Sequence, residues 1–186
     1  MQEFDDFINQ LLEESKLFLE RAKSAKNTFP QQSFLHSSLL LSMCVLEACV
    51  NSISEEVLST SYNDTYTVQE QALLLERDVK FDKGQFVLGN SLKISRLTDR
   101  VEYLYFKFSG EKLGNSCTWY CNLKQGISIR NRLVHPKENF VVTVVQVENA
   151  LLAVIDTIDT LYSLIYKKGL PAYQRGITPK LFFEDI

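Results

Sequence analysis

Glycine and proline are scarce in this chain. Seven Gly and four Pro make 11 of 186 residues, about half the usual share of roughly 12%. So few turn-formers argue against a many-stranded β fold and for long helices with few connections. Histidine is nearly absent, with two copies, and the four cysteines, Cys44, Cys49, Cys117 and Cys121, form no Cys-x-x-Cys pair. A structural zinc site wants such a pair or a nearby His. Cys117 and Cys121 fall on one helix face, but no His accompanies them, so the cysteines are expected to be buried free thiols. No metal and no cofactor is expected. Long apolar runs are also missing. Stretches such as Leu39–Leu41 and Leu151–Ile155 fall well short of the roughly 18 residues that span a bilayer, and no membrane association is expected. The acidic start, Met1-Gln2-Glu3-Phe4-Asp5-Asp6, lacks the basic and apolar regions of a signal peptide, which points to the cytoplasm. A large positive charge is lacking too. Twenty Lys+Arg face 23 Asp+Glu, a net of −3, so the chain does not coat nucleic acid by electrostatics alone.

What is present is an ordinary globular composition, 45% hydrophobic and 23% charged, in a length that suits one domain with short arms. Residues 4–25 place Phe4, Phe7, Ile8, Leu11, Leu12, Phe18, Leu19 and Ala22 at three- and four-residue spacing, with Glu13, Glu14, Lys16, Glu20 and Lys23 on the other side. That pattern is an amphipathic helix. Asn27-Thr28-Phe29-Pro30 is expected to end it, because the residue before proline resists helical dihedrals. Residues 33–59 are apolar nearly all round between Leu39 and Val50, which predicts the central, most buried helix. Glu47 and Asn51 interrupt it on one face. A carboxylate there needs a partner, or a place on the rim where it meets water. A loop is expected at 61–65. Thr67-Val68-Gln69-Glu70 reads as a capping box opening a short helix to residue 78. Residues 80–92, with Gly84 and Gly89, are a loop or a small hairpin. Helices follow at 95–109, 117–135 and 142–168, the last closed by Lys167, Lys168 and Gly169 in a cation-plus-glycine ending.

The expected fold is therefore all-α, a bundle of four to five main helices with a short mixed insertion near 80–92. Residues 1–30 form an N-terminal helix belonging to the bundle, 31–169 the main helical domain, and 170–186 a docked or mobile arm.

One segment carries chemistry: Ile129-Arg130-Asn131-Arg132-Leu133-Val134-His135-Pro136. Histidine moves protons near neutral pH, and arginine binds phosphate oxygens in a planar fork. Asn131 and Arg132 share a helical face with His135. Arg130, five residues before His135, lies about 140° round the helix and converges with it only if the helix ends there, with Pro136 turning the chain away. Simpler roles exist for each group. A histidine in a last turn stabilises the helix dipole, Arg132 is a solvated cation, His36 is structural, and Tyr103, Tyr105, Phe106 and Phe108 are core or interface aromatics rather than base-stacking ones.

Arg130-Asn131 followed by His135 resembles the motif of HEPN domains: Arg, a polar residue, three more residues, His. The stretch 38–51 is similar to the HEPN helix that presents an acidic residue and an Asn to the motif, here Glu47 and Asn51. Leu73-Leu74-Leu75-Glu76-Arg77 resembles the short helix after it, and the long helix after the motif also fits. The resemblance covers most of 33–168. It implies a HEPN-like bundle and a metal-independent endoribonuclease in a toxin–antitoxin or anti-phage system. Two copies would bring their motifs face to face, and the 2′-hydroxyl of RNA would attack the adjacent phosphate to leave a cyclic phosphate. His135 would be the general acid/base, Arg130 would neutralise charge on the phosphoryl oxygens, and Asn131 would orient His135 or a phosphate oxygen. Glu47 would hold Arg130, and Arg132, Lys137 and Lys124 would bind RNA phosphates. An antitoxin or a nucleotidyltransferase would be a further partner. The alternative is an inactive HEPN-like module for dimerisation or for binding RNA or a partner. A four-helix metal–carboxylate enzyme would need Glu-x-x-His motifs, and the sequence has none.

The distribution of charge suits the resemblance. Residues 1–90 carry 7 basic and 14 acidic side chains, and residues 91–186 carry 13 and 9. Within 121–140, Lys124, Arg130, Arg132 and Lys137 face only Glu138. Positive charge concentrates at the motif, as a focused phosphate site would have it.

Overall fold

A computed structural model describes residues 2–60, 65–170 and 173–180, with side chains from Asp6 onward. Phe4 and most of the expected loop, 61–64, lie outside the described side chains and residues. The fold is mainly helical. Among the described residues it has six helices: α1 (Gln2–Ser24), α2 (Thr28–Thr60), α3 (Val68–Leu75), α4 (Leu97–Ser109), α5 (Thr118–Val134) and α6 (Val144–Tyr166). One antiparallel hairpin, β1 (Arg77–Asp82) and β2 (Gln85–Leu92), separates α3 from α4.

The apolar run of α2 makes it the central element. Leu35, Leu39, Leu46 and Val50 are fully buried, and the helix packs against α1, α5 and α6. By length and hydropathy α2 matches a membrane span, but half of its most apolar window lies inside the fold, as expected for a core helix. It begins at Thr28, five residues earlier than its pattern predicts. Pro30 does not end the region of helix here. It sits in the first turn of α2, where its missing N–H costs nothing because first-turn amides have no partner in the helix. The break between α1 and α2 falls at 25–27 instead.

The capping box at Thr67 forms as its sequence predicts, with Thr67 and Glu70 bonded reciprocally. Its helix stops at Leu75, however, not at 78. Glu76 takes left-handed dihedrals (φ 52°) and turns the chain into β1. The segment 80–92 is thus most of a hairpin that begins at Arg77. Lys83 and Gly84 at its tip both have positive φ (48° and 88°), the geometry of a two-residue type I′ turn. α6 also opens on a capping box, Thr143 with Gln146, a Thr-x-x-Gln spacing to which the expected helix at 142–168 assigned no cap. It ends at Tyr166, with Lys167 rather than Gly169 in the left-handed position.

Gly126 sets the spacing that positions α5. A Cβ there would lie 2.8 Å from both Ala150 Cβ and Met43 Cε. The motif helix therefore lies directly on α6 and α2.

Glu13 and Lys16, expected on the wet face of α1, are buried and paired at 3.2 Å. The C-terminal segment accounts for the difference. Arg175, at the end of a single 3-10 turn (Tyr173–Arg175), reaches Glu13 at 3.2 Å. The Lys180 amide donates to the same carboxylate, and Ile177 packs on the core. The described part of the arm is docked. Burial pushes the Lys16 ammonium down from its ordinary pKa, and the charge of Glu13 opposes that. The expectation of four buried thiols fails in part. Cys49 is buried, Cys117 and Cys121 are half-buried, and Cys44 is exposed on the outer stripe of α2.

Candidate functional site

The motif occupies the last turns of α5. The helix closes at Val134, one residue before the expected end, and His135 is its C-cap (φ −126°, ψ 67°). The His135 amide donates to the Asn131 carbonyl at 2.9 Å. Helical dihedrals are disfavoured before proline, so Pro136 releases His135 from the helix and lets the chain leave toward 137–143.

Arg130 points the other way, toward α2. Its Nη2 donates to Glu47 Oε1 at 2.7 Å, and its Nη1 donates to Asn131 Oδ1 at 3.2 Å. Glu47 satisfies both expectations made for it: it has a cationic partner, and its side chain remains 43% exposed on the rim. One short charge-assisted bond fixes the guanidinium, whose five N–H donors outnumber the two bonds it makes here, and the side chain is 28% exposed.

Two adjoining clefts meet at this point. The larger, about 540 Å³, is lined by Lys124, Asn131, Arg132, His135, Lys137 and Phe140 among others. The smaller, about 350 Å³, is lined by Met43, Glu47, Arg96, Arg130 and Asn131 and walled by the 94–98 segment. Asn131, Thr98 and Ile127 belong to both. Asn131 is thus the hinge between an arginine cleft and a histidine cleft.

The three cations expected to bind phosphate all reach the larger cleft. Arg132 stacks over the Phe140 ring at 4.1 Å and pairs with Glu138 at 3.2 Å. Half and three-quarters of those two side chains are exposed, and such surface pairs exchange readily for another anion. Lys124 donates to Asn115 Oδ1 at 3.2 Å and lies over the Tyr120 ring at 4.6 Å. Lys137 makes no ion pair among the described residues. Asn51, one turn beyond Glu47, is exposed and lines neither cleft. The structure does not gather it with the other motif residues. His36 is half-buried, and burial pushes its pKa down.

Arg96, Thr98 and Phe140 went unnoticed in the sequence. Arg96 precedes α4 and has no motif around it, and only the fold carries it to Arg130. On α4, Arg100 is 3% exposed. It donates to the Leu74 carbonyl at 3.0 Å and to Ser54 Oγ at 3.3 Å, and it lies 3.5 Å from Glu76. Burial lowers its pKa, against the raising effect of Glu76 and Glu47. Among the described residues no three His, Cys, Asp or Glu side chains are grouped to hold a metal. Compared with known protein families, curated proteins and solved structures, the chain finds no match.

Proposed function

We propose that the protein is a metal-independent endoribonuclease of HEPN type, cytoplasmic, acting within a toxin–antitoxin or anti-phage system. The observation that carries this reading is the Glu47–Arg130–Asn131 chain of hydrogen bonds at 2.7 and 3.2 Å, set beside a C-capping histidine in a cleft with three further cations. Of the residues that the motif resemblance singles out on two separate helices, Glu47, Arg130 and Asn131 are joined by hydrogen bonds, whereas Asn51 stands apart from them.

In the proposed reaction the 2′-oxygen of one nucleotide forms a bond to the adjacent phosphorus, and the P–O5′ bond breaks. The 2′-hydroxyl gives up a proton and the leaving 5′-oxygen takes one. The products are a 2′,3′-cyclic phosphate and a 5′-hydroxyl. His135 is the proton carrier. Arg130, preset by Glu47, offers its remaining donors to the phosphoryl oxygens as their charge grows. Asn131 orients the group between them, and Lys124, Arg132 and Lys137 hold flanking phosphates. Within one chain Arg130 and His135 open into different clefts. A homodimer that brings two motifs together is therefore part of the proposal, since the second copy completes the site.

That separation also favours a second reading, a HEPN-like dimerisation or binding module without catalysis. An antitoxin or a nucleotidyltransferase would be its partner. Expression of the wild-type chain and of His135→Ala in bacteria separates the two. Growth arrest by the wild type alone supports the nuclease. Equal growth of both, together with intact RNA in the presence of purified protein, supports the module.

A further inference from the structure

The hairpin β1–β2 projects an aromatic pair that stands exposed among the described residues. Phe81 and Phe86 are cross-strand partners at its tip, with ring centroids 5.4 Å apart. They are 68% and 59% exposed. Side chains alternate faces along a strand, so Val79 and Leu88, also paired across the ladder, extend the same face toward the base. Phe29, Leu92 and Ile94 are exposed too, but Phe81 and Phe86 lie ring against ring, and an adjoining exposed apolar pair, unlike scattered single residues, marks an interaction surface.

Charge indicates the partner. Between residues 77 and 96 lie Arg77, Lys80, Lys83, Lys93 and Arg96 against Asp78 and Asp82, a net of +3 in a chain whose total is −3. Asp78 is already engaged: it accepts the Ser91 amide at 2.9 Å and lies 3.7 Å from Lys80. Lys83 stands at the hairpin tip and Lys93 just past its base, and Arg96 lies in the wall of the Arg130 cleft. The base is firmly held. The Lys93 amide donates to the Glu76 carbonyl at 2.8 Å, and the Ser95 amide donates to the Glu76 carboxylate at 3.0 Å. β2 spans about 23 Å at the usual strand rise, the reach of several nucleotides. Exposed rings on an arm with cations at its tip and base suit single-stranded nucleic acid, with bases stacked and phosphates neutralised.

We infer that the hairpin is a single-stranded RNA-binding arm. Bases stack on Phe81 and Phe86, and the backbone follows Lys93 and Arg96 into the Arg130 cleft. The inference rests on the ribonuclease reading for what happens at the end of that path, but the binding itself does not need catalysis.

The test uses the full chain carrying His135→Ala, so that RNA stays intact, with a fluorescent oligouridylate as probe. Phe81→Ala with Phe86→Ala is expected to weaken binding roughly 5- to 150-fold for each base that loses its ring. Phe81→Tyr with Phe86→Tyr should retain it, which separates stacking from folding damage. Lys83→Ala with Lys93→Ala should weaken binding and flatten its salt dependence. Oligouridylate affinity unchanged by the alanine pair overturns the inference, and cleavage that persists in the same pair without the His135 change shows that the nuclease reading survives it. Loss of self-association with unchanged RNA affinity overturns it too and assigns the arm to a second copy of the chain. Binding lost on the alanine pair, in a chain that never cleaves RNA, supports the arm and removes the nuclease.

Discussion

Arg130 and His135 are one helical turn and a half apart, yet they do different things because the helix ends between them. Arg130 is still helical and faces α2, where Glu47 holds it at 2.7 Å. His135 is already outside the helix. In the proposed reaction, His135→Ala should lower cleavage by about 10²–10⁴-fold with helix content unchanged by circular dichroism. Arg130→Lys should behave nearly like Arg130→Ala in single-turnover cleavage, because a lysine cannot make the fork that joins Glu47 and a phosphate together. Glu70 offers a pH test away from the site. Burial pushes its carboxyl up, but the Thr67 amide, the Tyr103 hydroxyl, the Thr67 hydroxyl and Lys107 outweigh that and hold it at about 2. A depressed native pKa stabilises the fold above the unfolded value and is lost as the proton binds. The stability Glu70 contributes should therefore be present at neutral pH and disappear between about 4.5 and about 2. Thermal melts of Glu70→Gln against the parent should differ at pH 7 and converge toward pH 2.

Among the elements, most of those governed by local chemistry were legible in the sequence, the Thr143–Gln146 box of α6 being an exception. The Thr67 capping box, the six-residue stretch of motif at a helix end and the long apolar α2 were read from neighbours within a few positions. Elements set by distant contacts were not. Nothing near Pro30 distinguishes a proline that ends α1 from one that opens α2, since both obey the same dihedral rule. The β1 strand replaces the last turn of α3 because Glu76, a residue without special turn propensity, adopts left-handed dihedrals and anchors Lys93 and Ser95. Gly126 reads as a mild helix breaker, whereas its role is contact: Ala150 and Met43 occupy the space a side chain would need. Gly126→Ala should therefore destabilise the protein by about 1–3 kcal/mol as overpacking, despite a helix propensity gain of about 1 kcal/mol. Chemical denaturation measures the balance, and a more stable variant would show that α5 has room to move.

For the whole molecule, net charge misled while its distribution informed. A total of −3 conceals the basic stretch of 121–140 and the basic arm of 77–96, which meet at the smaller cleft through Arg130 and Arg96. The fold also turns chain ends into core. Glu13 and Lys16 looked solvated from the spacing of α1, but the described part of the arm returns over that face and sets Arg175 and the Lys180 amide on Glu13. Glu13→Ala should cost about 3–5 kcal/mol by leaving Lys16 buried without a counter-charge, and Lys16→Met in the same chain should recover most of it in a denaturation cycle. The motif residues were legible one by one. Their separation into an arginine cleft and a histidine cleft was not, because it depends on where α2 and the 94–98 segment lie against α5. The central claim is therefore tested most directly on the purified protein itself. Single-stranded RNA is incubated with it in excess chelator and the new ends are read. The wild type should yield 2′,3′-cyclic phosphate and 5′-hydroxyl ends, with none from His135→Ala. RNA left whole by the wild type, or the same ends produced equally by His135→Ala, would contradict the account.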